Sequence, residues 1–155
     1  MALTEIDSST SKCPAGEIPY VEMMKGVEMK VLRVGGSSGT YTVMARFGPG
    51  IALPKHRHFG EVHAYTISGR WHYKEYDWVA EAGDYAYEPP NSTHTLTTPS
   101  DNTGPTEVIF VIDKGMVILG DDDELLLIED AWSITEMYLG ALAARGIPTP
   151  EHILP

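Results

Sequence analysis

Residues 40–47 alternate in polarity. Tyr41, Val43, Ala45 and Phe47 share one face, and Thr42, Met44 and Arg46 share the other. A period of two marks a strand with one covered side. Gly48-Pro49-Gly50 ends it. Similar short runs recur between breakers. Val27–Val34 stops at a Gly/Ser turn, Val62–Ser68 at Gly69, residues 70–79 before Gly83, and residues 84–88 at Pro89-Pro90-Asn91. Residues 94–98 run into a polar loop, and residues 107–112, 115–119 and 125–128 complete the set. Many short strands at regular spacing predict an all-β sandwich or barrel.

The pattern changes after residue 128. Ser133-Ile134-Thr135-Glu136 has capping-box spacing, and Ile134, Met137, Tyr138 and Leu142 form an apolar stripe of helical period. Gly146 and Pro148 supply stop signals. One helix is predicted near residues 134–145, packed on the outside of the barrel. Residues 1–16, rich in Ser, Thr and small side chains, are expected to form a flexible arm. Residues 17–155 are expected to form a single domain.

The 155 residues carry a net charge of −11. So acidic a surface repels phosphate backbones and anionic membranes, and no Lys/Arg cluster offsets it. Nucleic-acid and membrane partners are therefore not expected. Cys13 is the one cysteine, so no intrachain disulfide forms, which is compatible with a reducing cytoplasm. No basic start followed by an apolar stretch marks the first residues as a signal peptide. A cytoplasmic location is the default expectation.

Three of the six histidines have informative spacing. His56 and His58 flank Arg57, so in an extended segment both rings project to the same side. Two neutral imidazoles on one face can bind one metal ion. His94 lies in a different predicted strand and joins them only if the fold brings it alongside.

Gly50, five residues, then His56-Arg57-His58, with Gly69 closing, resembles the first cupin motif. Gly83, Pro89 and His94 resemble the second. The resemblance runs from about Met29 to Ile118. It implies a double-stranded β-helix, a jelly-roll-like barrel here carrying one C-terminal helix, with His56, His58 and His94 around an internal metal. The motif's usual metal-binding glutamate falls at Val62. Glu61 and His63 flank that position, but adjacent strand residues point to opposite faces. A three-histidine centre is therefore expected, with a fourth ligand from Glu61 or His63 left open. Asn91 replaces the motif's glycine and tolerates a left-handed turn.

The stretch from His56 to Tyr65, with Gly69-Arg70-Trp71 and Tyr87-Glu88-Pro89-Pro90, resembles the 2,4'-dihydroxyacetophenone dioxygenases. It is also similar in plan to acetylacetone-cleaving dioxygenases. The cupin of an anti-sigma factor is similar too, but departs at Val62. These likenesses imply non-haem iron(II) and oxygen-dependent carbon–carbon cleavage of a small dicarbonyl or hydroxyketone. Zinc or nickel are alternative occupants of the same ligands. Glu88 is a candidate to accept an N–H hydrogen bond from a ligand histidine or a proton from substrate. Arg70 shares strand parity with Val62, Ala64 and Thr66, and is a candidate to hold a substrate oxygen or pair with Glu88. Tyr65, Trp71, Tyr73, Trp78, Tyr85 and Tyr87 offer aromatic surface, chiefly for sheet packing and in part for an aromatic substrate. Two rival functions use the same ligands: a non-redox isomerase or lyase, and a metal-containing sensor without turnover. Pairing two barrels protects exposed sheet edges, so a homodimer is expected.

Overall fold

A computed structural model describes residues 10–153. In chain order the strands are β1 (Val21–Met24), β2 (Val27–Val34), β3 (Tyr41–Phe47), β4 (His56–His58), β5 (Val62–Ser68) and β6 (Arg70–Tyr73). They continue as β7 (Ala80–Glu81), β8 (Tyr85–Glu88), β9 (Thr93–His94), β10 (Leu96–Thr97), β11 (Thr106–Ile112), β12 (Met116–Leu119) and β13 (Leu125–Glu129). One α-helix, α1 (Ala131–Ala144), and a short 3-10 turn at Glu151–Ile153 follow. No helix among the described residues is long and apolar enough to cross a membrane.

The strands form antiparallel sheets. Six run in the order β1-β2-β3-β11-β5-β8, four in the order β13-β12-β4-β9, and three in the order β10-β6-β7. Alternation drives the assembly. In β3 and β11 every second side chain is buried, and the two strands pair along their full length from Tyr41↔Ile112 to Phe47↔Thr106. The buried face of this pair, with Val43, Phe47, Val108 and Phe110, forms one wall of the core. His56, His58, Met116 and Ile118 contribute the facing wall from β4 and β12. The expectation of a cupin barrel with one C-terminal helix holds.

The helix cap lies three residues earlier than predicted. Asp130, not Ser133, is the N-cap: its Oδ1 accepts from Ser133 N at 2.8 Å, and Ser133 Oγ accepts from Asp130 N at 2.9 Å. A hydroxyl three residues into the helix satisfies the cap's own N–H as well as a glutamate would. The buried face is Ile134, Tyr138 and Leu142, each worth about 1.5–3 kcal/mol of burial. Tyr138 OH donates to Pro19 O at 2.8 Å. α1 packs against β1 and β2 at the edge of one sheet and against β13 at the edge of another. Ile134 and Met137 line the barrel's cavity. The helix therefore covers a seam between sheets and does not merely rest on an outer face.

Residues 1–9 of the expected arm lie outside the described residues. Next to them, Cys13 packs against the core and Lys30 Nζ donates to Ala15 O at 2.6 Å.

Candidate metal centre

β4 and β9 run antiparallel, with His56 directly opposite His94. In β4 the burial pattern is buried, exposed, buried, so Arg57 faces out while His56 and His58 face in. The turn that returns the chain to β9 contains Asn91 at φ 65, a left-handed residue. Asn91 N donates to His58 O and fastens the turn to β4. The three rings converge, with centroids 5.0 Å (His56–His58), 4.8 Å (His56–His94) and 5.3 Å (His58–His94) apart. One nitrogen from each lies within 4.8 Å of the others, and all three residues are buried. Three buried histidines so placed could bind a metal.

His56 is fixed in the tautomer a metal requires. Its Nδ1 lies 3.0 Å from Pro54 O. A carbonyl only accepts, so Nδ1 carries the proton and Nε2 keeps its lone pair. Burial, then the neighbouring His58 ring, lowers the His56 pKa to about 4, so the imidazole is neutral near pH 7.

Glu88 completes the cluster from β8. Its Oε2 lies 2.9 Å from His58 Nε2 and 3.2 Å from His94 Nε2. Burial works to raise its carboxyl, but the adjacent His58 and His94 rings outweigh that and hold it well below the usual carboxylate range. The short separations nonetheless lack hydrogen-bond geometry: Glu88 Oε2, His94 Nε2 and His58 Nδ1 are buried polar atoms without a hydrogen-bond partner. Each such orphan costs about 1–3 kcal/mol. Clustered lone pairs with that penalty fit a cation placed among them, so the donor set passes as a metal cradle.

Glu88 also explains Val62. The two are cross-strand partners in the β5–β8 ladder. The apolar residue at the motif's acidic position therefore faces a carboxylate supplied from the neighbouring strand. Glu61 and His63 turn away from the three histidines. They are exposed on the outer face, where His63 Nε2 lies 3.3 Å from Glu61 Oε1 and Tyr85 OH lies 2.5 Å from His63 Nδ1.

Arg70 requires a correction. It does not approach Glu88 or the histidines. Its Nη2 donates to Asp101 Oδ1 at 2.8 Å and its Nε to Asn102 Oδ1 at 3.1 Å, with the side chain 39% exposed. The parity count fails at Gly69, which sits at φ +75 with a hypothetical Cβ only 2.6 Å from Thr106 Cα. That tight turn restarts the alternation. In β6 it is Trp71 and Tyr73 that face inward, not Arg70.

Two residues of the site were not singled out from sequence. Tyr73, grouped there with the packing aromatics, stacks on His94 at 3.7 Å and 16° and donates its O–H to Glu88 Oε1. Burial, then the Glu88 charge, pushes its phenol well above the ordinary value, so it stays a donor. Glu129, at the end of β13, lines the cavity and accepts from Tyr41 OH at 3.1 Å. Burial raises its carboxyl. A lone acid closing an apolar strand carried the only signal for it.

His56, His58, Tyr73 and Glu88 open on a cavity of about 300 Å³ whose other walls are mainly apolar, among them Met29, Phe47, Leu96 and Phe110. Met24, Leu127 and Met137 reach both this cavity and solvent.

A protein-family model described as the ChrR cupin-like domain matches residues 9–116. The chain belongs to this cupin family. Among solved structures, it is similar to a protein of unknown function with a cupin-like fold from Ralstonia eutropha JMP134. That pair shows 32% identity over 95% of this chain and 99% of the other, with a TM-score of 0.83. An RmlC-like cupin from the same organism is 25% identical, with 94% of each chain covered and a TM-score of 0.87. An acetylacetone dioxygenase from Acinetobacter johnsonii shares the fold at 13% identity, over 91% of this chain and 97% of that one, with a TM-score of 0.77. No protein of curated function matches the sequence.

Proposed function

We propose that this cupin is a metal-dependent dioxygenase that cleaves a carbon–carbon bond in a small dicarbonyl or hydroxyketone. The observation that carries the reading is a cluster of three buried histidines, two of which, His56 and His58, line a mainly apolar cavity of about 300 Å³. Three neutral imidazoles leave a divalent ion most of its charge and several open positions, which suits a chelating enolate. When bound, iron(II) supplies Lewis acidity toward the chelate and an electron for oxygen, which zinc does not.

His56, His58 and His94 hold the ion, and the Pro54 carbonyl fixes the His56 ring. Tyr73 anchors Glu88 by Oε1, leaving Oε2 to receive the proton released as a ketone becomes its enolate. The apolar walls exclude water from that carboxylate and favour a substrate with an apolar body. The acetylacetone dioxygenase sharing this fold supports the reaction class. A reducing cytoplasm would suit both iron(II) and the lone Cys13 thiol.

A second reading, a metal-containing binding module, draws on one feature. Leu125, Leu126, Leu127 and Ile128 of edge strand β13 are 50–61% exposed, and Trp132 is 72% exposed. An apolar edge of that kind fits a protein partner. A second copy of this chain, giving a homodimer, satisfies it equally well.

Anaerobic loading with iron(II), followed by oxygen-uptake measurements with acetylacetone and with 2,4'-dihydroxyacetophenone, tests the proposal. Uptake with either supports it. Uptake with neither, at full iron occupancy, moves the balance to the binding module.

A further inference from the structure

An aromatic cluster adjoins the metal centre and reaches solvent at Tyr76 and Trp78. Tyr73 stacks on His94 with ring centroids 3.7 Å apart. Trp71 lies 5.2 Å and Trp78 5.8 Å from Tyr73, both edge-on. Trp78 stacks on Tyr76 at 5.8 Å and 12°, and Tyr76 lies 6.2 Å from Tyr73. Phe110 touches the group through Trp71 at 6.1 Å. Tyr73 is buried, whereas Tyr76 is 46% and Trp78 42% exposed. Packing alone accounts for Trp71 and Tyr73. It does not account for two large rings stacked on each other at the surface, in line with a metal-ligand histidine.

Tyrosine and tryptophan are the side chains most readily oxidised by one electron through their rings, and electron exchange falls off steeply with ring separation. We propose that Tyr73, Trp78 and Tyr76 form an escape route that carries oxidising equivalents from the metal centre to the surface when oxygen reacts without substrate. The inference rests on the iron-dependent reading above. Tyr73 would give one electron to an oxidised metal held by the three histidines and pass its phenolic proton to the Glu88 oxygen it already bonds. Tyr73 regains an electron from Trp78 or Tyr76 and its proton from Glu88. A soluble thiol gives the exposed ring one electron, with a proton where Tyr76 had released its own to water, and the resulting thiyl radical pairs with a second one as a disulfide. The net result is a reduced metal, an oxidised thiol and intact histidines.

The test is a peptide map of oxidised residues after substrate-free iron-loaded protein is exposed to hydrogen peroxide without thiol, with zinc-loaded protein as control. Trp132, more exposed than Trp78 and absent from the chain of rings, is an internal reference. The expected result is oxidation at Trp78 and Tyr76 several-fold above Trp132 with iron, and no such preference with zinc. In the surface double variant Tyr76→Phe/Trp78→Phe, which leaves the ligand residues untouched, damage should move inward to Tyr73, Trp71 and the three histidines. Iron should then be lost over successive exposures. Adding thiol should suppress oxidation of the wild type but not of the double variant.

Oxidation at Trp132 equal to Trp78, or an unchanged pattern in the double variant, would overturn the escape route while leaving the dioxygenase reading in place. Failure of the protein to take up iron at all would overturn both.

Discussion

Glu88→Gln isolates the carboxylate's chemistry from its shape. The amide oxygen still accepts the Tyr73 hydroxyl, so no new unpaired group appears on that side. On the other side the charge between His58 and His94 is gone. Losing a polar group that orients metal-ligand histidines typically lowers metal affinity ~10–100-fold, about 1.4–2.7 kcal/mol. Losing a positioned proton acceptor lowers turnover by ~10²–10⁴-fold. The two effects separate by dose. With iron(II) raised well above its dissociation constant, the variant should hold as much metal as wild type and still turn over at least ~10²-fold more slowly. Metal content by elemental analysis and oxygen uptake on the same samples make the assay. Wild-type turnover at full occupancy would refute the proton-acceptor role of Glu88. Wild-type turnover together with weakened metal binding would reduce Glu88 to an orienting group.

Arg70→Ala should leave metal content and turnover unchanged, because the guanidinium is committed to Asp101 and Asn102 on the half-exposed side of the Gly69 turn; steady-state kinetics check this. Asp130→Ala removes one half of the reciprocal cap and should destabilise the chain by about 1–2 kcal/mol, read as a thermal-midpoint drop of ~2–4 °C per kcal/mol. Leu126→Lys combined with Trp132→Lys places charge on the apolar β13 edge and should shift a homodimer to monomer by light scattering at micromolar concentration. A wild type already monomeric there would rule out the dimer.

The barrel was legible because its strands keep a strict period of two where one face is buried. Residues 41–47 and 106–112 read directly from alternation and pair as one ladder. The placement of His56 and His58 followed from the same rule, and His94 from motif spacing. Errors arose where the period was interrupted. Gly69 restarts the alternation, so parity counted from Val62 placed Arg70 inside when Trp71 and Tyr73 are. Residues 70–79 read as one run, yet the strand ends at Tyr73, where Tyr76 N bonds Tyr73 O and the chain turns. Glu88 was a candidate on sequence separation alone. Its position opposite Val62 is a property of the ladder, which single-strand patterning does not encode. Short elements such as β1 and β7 lack the length for a periodic signal and exist because neighbouring strands offer them hydrogen bonds.

The central claim is that His56, His58 and His94 jointly hold one ion. Metal stoichiometry of wild type and His94→Ala, measured side by side after iron(II) or zinc loading and gel filtration, tests it most directly. The account predicts one ion per wild-type chain and loss of stoichiometric metal in a variant that remains folded by circular dichroism. Full metal retention in folded His94→Ala would contradict it.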